Sequence, residues 1–170
     1  MKKMMILGLL LLVSTACFAA PTVGGPTGLI EVPSADSIGG GEFDLALHHY
    51  NETNILSFTM GIADGFEVGI SAWNRNGGNA TQGFLKYTIV PERASSIGVA
   101  VGGRANSNHS SFFVVGSKYL SEIGFRGHLG LDTRGDGTFF MGLSKALPSQ
   151  RAFPKTIAMA EFYGGDLNIG

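Results

Sequence analysis

Past residue 40 the chain never holds a helical period. It breaks into runs of about eight to eleven residues that alternate apolar and polar, each closed by turn-forming residues. The runs predict strands near Glu42–Tyr50, Ile55–Ile62, Phe66–Trp73, Thr81–Val90, Ile97–Ala105, Ser111–Leu120, Gly124–Thr133, Thr138–Leu147 and Thr156–Tyr163, with a tenth beginning at Asp166. The connectors, among them "NETN", "ADG", "RNGGNA", "PERAS", "RGDG" and "GGD", are short. Their Asp-Gly and Asn-Gly steps tolerate the positive φ that tight hairpins demand. A parallel pairing needs a crossover of a dozen residues or more, usually a helix, and no connector supplies one. The expected fold is all-β, an antiparallel meander.

Two kinds of face follow from the alternation. In "FRGHLGLDT", Phe125, Leu129 and Leu131 oppose Arg126, His128 and Asp132; in "GFLKYTIV", Leu85, Tyr87 and Ile89 oppose Phe84, Lys86 and Thr88. In "EFDLALHHY", Phe43, Leu45 and Leu47 oppose Glu42, Asp44 and His48, and "SFFVVGSKY" is read with Phe113, Val115 and Tyr119 opposite Gly116 and Lys118. A soluble β-sandwich would turn the apolar face inward. A transmembrane barrel would turn it to lipid and pack charged and small residues inside.

Run length favours the barrel, because a tilted strand needs about 9–11 residues to cross a bilayer. Small residues assigned to the polar face (Gly69, Ser71, Gly116, Gly130, Gly142, Ser144) suit a narrow, curved interior. Aromatics near strand ends (Tyr50, Phe66, Trp73, Tyr119, Phe139, Tyr163) suit an interfacial girdle. Charged residues make up 15% of the chain, against roughly 25% in soluble domains. Glycine, 26 of 170 residues, is about twice its usual share. The reading is an outer-membrane-type β-barrel of about ten strands, with the sandwich as the alternative.

The first twenty residues, "MKKMMILGLLLLVSTACFAA", have the basic, apolar and small-residue regions of a secretory signal peptide. Cleavage is expected after Ala19; a lipoprotein reading of Cys17 would put Ser14 where a leucine-like residue is wanted. Cleavage removes the sole cysteine, so no disulfide holds the exported chain. Ten basic residues then face thirteen acidic ones, a net charge of about −3. No basic patch with interleaved aromatics points to nucleic acid.

Three stretches carry a family resemblance: "GPTGLIEVPSADSIGGGEFDLALHHY", "GFEVGISAW" and the closing "AEFYGGDLNIG". Together they resemble the YjbH-like family of Gram-negative outer-membrane β-barrel proteins. The resemblance implies a place in the cell outer membrane and an association with exopolysaccharide production or export. The implied partners are outer-membrane lipid and polysaccharide secretion components. One departure concerns the end. Such barrels have even strand numbers and finish on a complete last strand, whereas this chain stops at Gly170, early in strand ten. The expectation is a truncated or split-gene product.

Candidate chemistry is sparse. His48 and His49 are adjacent, so in a strand they point to opposite faces and cannot share one ion. His48 could meet Asp44, Glu42 and His128 inside, which raises an outer-membrane enzyme acting on lipid A or peptides as an alternative. The plainer expectation is a neutralising network of inward His, Asp, Lys and Arg, since buried charges need partners. No nucleophile elbow, HExxH helix or strand–glycine-loop–helix phosphate site is present. "RGD" (Arg134–Asp136) and the sequons at Asn51, Asn79 and Asn108 read as chance. No catalytic, cofactor-binding or metal-ligating residue is assigned, and no cofactor.

The stretch ahead of the first strand, residues 25–43, holds Pro26 and Pro33, a glycine triplet and the apolar residues Leu29, Ile30 and Val32. The prolines make it a poor central strand. Thr27–Val32 is expected to dock on the rim of the sheet or tuck inside it. The organisation is thus a signal peptide (1–19), an extended and turn segment (20–41) and the barrel (42–170). The functional expectation is a non-enzymatic envelope protein, with the enzyme and a soluble periplasmic β-sandwich binding module as alternatives.

Overall fold

The structure, a computed structural model, describes residues 20–50, 52–75, 78–134, 137–147 and 156–170. The proposed signal peptide, Asn51 of its sequon, two residues of the "RGD" and residues 148–155 lie outside them.

Two residue pairs, β1 (Ala20–Pro21) and β2 (Thr27–Gly28), form a small bridge. Ten strands then follow: β3 (Phe43–Tyr50), β4 (Thr53–Ala63), β5 (Phe66–Arg75), β6 (Gly78–Val90), β7 (Gly98–Ala105), β8 (Ser110–Leu120), β9 (Phe125–Asp132), β10 (Thr138–Ala146), β11 (Ile157–Tyr163) and β12 (Asp166–Ile169). They make one antiparallel meander in sequence order, with β3 and β12 as its edges. No ladder joins those edges among the described residues. At the β4–β5 hairpin Asp64-Gly65 closes the turn, with Gly65 at φ 80°, a conformation open to glycine without strain.

The faces are partitioned inside out. Along β4 every second residue is buried, with Thr53, Ile55, Ser57 and Thr59 inward and Leu56, Phe58 and Met60 exposed. Leu45 and Leu47 on β3, Leu85, Tyr87 and Ile89 on β6, and Leu129 and Leu131 on β9 are exposed as the alternation predicts. Glu67, Lys86, Arg104, His128, Asp132 and Glu161 are buried on the other face.

Strand β8 departs from the expected pattern. Phe113 and Val115 are buried on the polar face, while Phe112 and Val114 are exposed. Both faces of "FFVV" are apolar, so period two alone cannot orient them; the register does, by pairing Phe113 with Asp132 and Ser117 with His128. Gly116 consequently turns outward, opposite Leu129. Of the expected girdle, Trp73 and Tyr163 also face inward. Trp73 pairs with the fully buried Ile55 and donates Nε1–H to Ser71 Oγ (3.1 Å), and Tyr163 is buried beside Phe140. Phe66 and Phe139 do lie on the outer face, paired with Tyr87 and Leu131.

The inward glycines have a shared cause. Gly69 pairs with Phe84, Gly102 with Phe113 and Gly130 with Phe140 across neighbouring strands. A Cβ at any of the three glycines would collide with its partner's ring. Each phenylalanine ring therefore occupies the space over a glycine, which lets a bulky ring fit a tightly curved inner surface.

Segment 20–42 occupies that inner surface, and its bonds reveal the curl of the sheet. Thr27 is bonded to Glu67 on β5, and Ile30 to Glu161 on β11. Residues three apart span at most about 11 Å. Six strand spacings of a flat sheet would separate β5 from β11 by about 29 Å. Side chains stand roughly perpendicular to a sheet and add little sideways reach. The sheet must bend round the segment to make both bonds. Bonds between strands two apart say the same: Arg104 on β7 and Tyr163 on β11 both reach Asp132 on β9.

Candidate functional site: a segment clamped in the polar interior

Two buried carboxylates hold segment 20–42. Glu67, on β5, accepts hydrogen bonds from Thr27 N (2.8 Å), Thr27 Oγ1 (2.5 Å) and Ile38 N (3.1 Å), and pairs with Lys86 Nζ at 3.0 Å. Lys86 also donates to the Thr27 carbonyl at 2.9 Å. Both side chains are fully shielded, so each charge depends on the other and on the segment's backbone.

Glu161, on β11, has no cation among its hydrogen-bond partners in the described residues. It accepts the successive amides of Ile30 (3.1 Å), Glu31 (2.8 Å) and Val32 (3.0 Å), together with Asn168 Nδ2 (3.1 Å). Three converging N–H groups make a backbone nest, normally a receptor for a free anion. Here the anion is the protein's own side chain. Glu31 itself is half-buried on the segment; burial and nearby Glu161 push its carboxyl up, and Arg134 and Arg104 pull it down, with a net rise.

Lesser bonds spread the attachment. Thr59 Oγ1 donates to the Gly25 carbonyl (2.8 Å), Gln82 Nε2 to that of Gly24 (3.1 Å) and Thr88 Oγ1 to that of Ala35 (2.9 Å). Ala35 N donates to Ser117 Oγ (2.9 Å), and Arg126 bridges Asp36 (2.8 Å) and Glu92. Apolar contact completes the clamp. Leu29, Val32 and Ala35 pack with Ala100, Phe113, Val115, Phe140 and Tyr163 in one buried cluster. Of the apolar trio in the sequence, Leu29 and Val32 are buried and Ile30 is partly exposed.

A second group of inward charges gathers on Asp132. Asp132 Oδ2 receives Arg104 Nη1 (2.8 Å), Arg134 Nε (3.2 Å) and Tyr163 Oη (3.0 Å). The grouping of His48 with Glu42 and His128 does not form. His48 Nε2 is buried without a hydrogen-bond partner, and Glu42 accepts from Gly39 N at the turn before β3. His128 lies between Ser117 Oγ (2.9 Å) and Ser144 Oγ (3.3 Å). Ser117 and His128 form a nucleophile–base distance, but among the described residues no carboxylate orients the ring, and Ser117 Oγ already holds the Ala35 amide. Among the described residues no group of three or more His, Cys, Asp or Glu is placed to hold a metal ion.

The sequence marks residues 25–43, within the expected 20–41 segment and its junction with the first strand, by their prolines and apolar trio, but does not reveal the clamps. Glu67 and Glu161 stand 40 and 131 positions from their first partners, and nothing local distinguishes them from other inward polar residues. Comparison of the chain with protein-family models, with curated proteins and with solved structures finds no match.

Proposed function

We propose that the protein is a non-enzymatic β-barrel of the bacterial outer membrane whose interior is filled by its own segment 20–42. The inside-out partition carries this reading. The outer face presents Leu45, Leu47, Leu56, Phe58, Leu85, Leu129, Leu131, Met141, Leu143 and many more exposed apolar side chains. Water-soluble monomers rarely expose contiguous apolar patches beyond about 600 Å². A sandwich would cover this face with a second sheet, and the described residues supply only the one ten-stranded sheet and the two-residue bridge. The eleven residues of β4, tilted at about 45°, rise about 26 Å, near the height of an outer-membrane apolar band. In lipid the edges β3 and β12 must be satisfied, by each other or by further strands.

With the interior occupied, wide-pore transport is a poor fit, and a structural or accessory role is the better one. The likeness to YjbH-like barrels directs that role towards exopolysaccharide production or export, with outer-membrane lipid and secretion components as partners.

The test is outer-membrane fractionation, followed by a denaturing gel of unboiled and boiled protein. A folded membrane barrel resists the detergent until heated and shifts in mobility. The expected result is outer-membrane recovery with a heat-dependent shift. Recovery in the periplasm without detergent would overturn the reading in favour of a soluble binding module. Loss of lipid A or peptide hydrolysis on His48→Ala would overturn its non-enzymatic part.

A further inference from the structure

A second polar region lies beside the Asp132 cluster, at the end of the sheet where β7 turns into β8. A cavity of about 490 Å³ is lined there by Gln82, Arg104, Asn106, His109, Ser111 and Arg134, among others. No carboxylate lines it among the described residues. Its charged groups are two guanidiniums, and the other lining side chains are hydroxyls, amides and an imidazole.

The local charge balance is uneven. Among the described residues Asp132 is the one carboxylate bonded to both guanidiniums, and its oxygens already hold Arg104 Nη1, Arg134 Nε, the Arg134 amide and the Tyr163 hydroxyl. Two cations thus face one saturated anion among the described residues. Arg104 is only 3% exposed, yet its Nε and Nη2 have no hydrogen-bond partner, and its guanidinium rests 4.8 Å from the centre of the Phe113 ring. Buried N–H donors without acceptors are rare in folded proteins, and one that is charged is rarer still. The Arg134 guanidinium carbon lies 4.5 Å from the centre of the Tyr163 ring, with part of the side chain open to solvent. The partly open Arg134 fork, backed by the buried Arg104 guanidinium, stands at the wall of a cavity with no acidic group among the described residues, and forms a receptor for a planar or tetrahedral oxyanion. Glu31 of the segment feels both guanidiniums, but burial pushes its carboxyl away from the charged form.

We infer that the Arg104–Arg134 cavity binds an anionic group, carboxylate or phosphate, on a small soluble ligand. The site depends on the cavity alone and holds whichever solvent bathes the outer face of the sheet.

Calorimetric titration of the purified full chain in detergent tests it, with inorganic phosphate, glucuronate and uncharged glucose as the three probes. The expected result is saturable binding of at least one anion, none of glucose, and weakening as salt is raised. Phosphate alone would identify a phosphate site, and glucuronate alone a site for an acidic sugar. Arg134→Gln is expected to weaken binding about tenfold or more. Since Arg134 also supports Asp132, Asn106→Asp is the second variant. An aspartate keeps the acceptor that Asn106 Oδ1 offers to the Asn108 and His109 amides, yet adds a negative charge to the cavity wall. It should weaken the anion by a similar factor with folding unchanged. No binding of either anion, equal binding of glucose, or full affinity in N106D would overturn the inference.

Discussion

Single side chains show which solvent the outer face expects. Leu129 lies outward on β9, about half exposed, between Gly116 of β8 and Met141 of β10. In water Leu129→Arg would be nearly neutral, within about 0.5 kcal/mol, as for most exposed positions. In a bilayer the same change should cost about 2–4 kcal/mol near the midplane. Urea unfolding from liposomes measures the difference. Inside, Lys86→Met leaves Glu67 buried with amide and hydroxyl donors but no cation, and should cost about 3–5 kcal/mol. The Glu67→Gln/Lys86→Met double variant should lose less than the sum of the two single losses, because each single change strands the other charge. Additive losses would mean that the pair is not the unit of stability.

At the scale of elements, segment 20–42 behaves as a buried strap rather than a loose lead. Glutamine at position 161 would keep one acceptor oxygen and set an amide donor against the three N–H groups of Ile30, Glu31 and Val32. Glu161→Gln is therefore expected to speed hydrogen exchange at those three amides at least tenfold, while the β6–β7 ladder stays protected. Unchanged exchange would show that the apolar cluster around Leu29 and Val32 holds the strap without the nest. The strands themselves were legible in the sequence because hairpins announce themselves locally. Turn residues bracket the runs; nine strands begin and end within about three residues of their expected bounds, and the tenth begins at Asp166 as expected. Orientation was legible only where the two faces differ chemically, as in β6 and β9. In β8 both faces of Phe112–Val115 are apolar, and long-range register decided. The strap's clamps were not legible, because a buried Glu and a solvated Glu look alike until the partner amides are known.

For the whole molecule, the fold inverts the usual solvent preference. Glycine lets Phe84, Phe113 and Phe140 fit inside the curl, buried carboxylates are hydrogen-bonded to the strap, and the large aliphatic side chains are left facing out. The low charge and the glycine excess in the composition follow from this one arrangement. The measurement that tests it most directly uses the lone cysteine of the sequence, Cys17. A chain expressed from residue 20 has none, so single cysteines placed in turn at positions 84 to 89 of β6 can each carry a fluorophore. Reconstituted in vesicles with a quencher on the lipid tails, labels at 85, 87 and 89 should be quenched, and those at 84, 86 and 88 should not. Uniform protection from the lipid quencher, with labels at 85, 87 and 89 reached instead by a water-borne one, would contradict a lipid-facing outer surface.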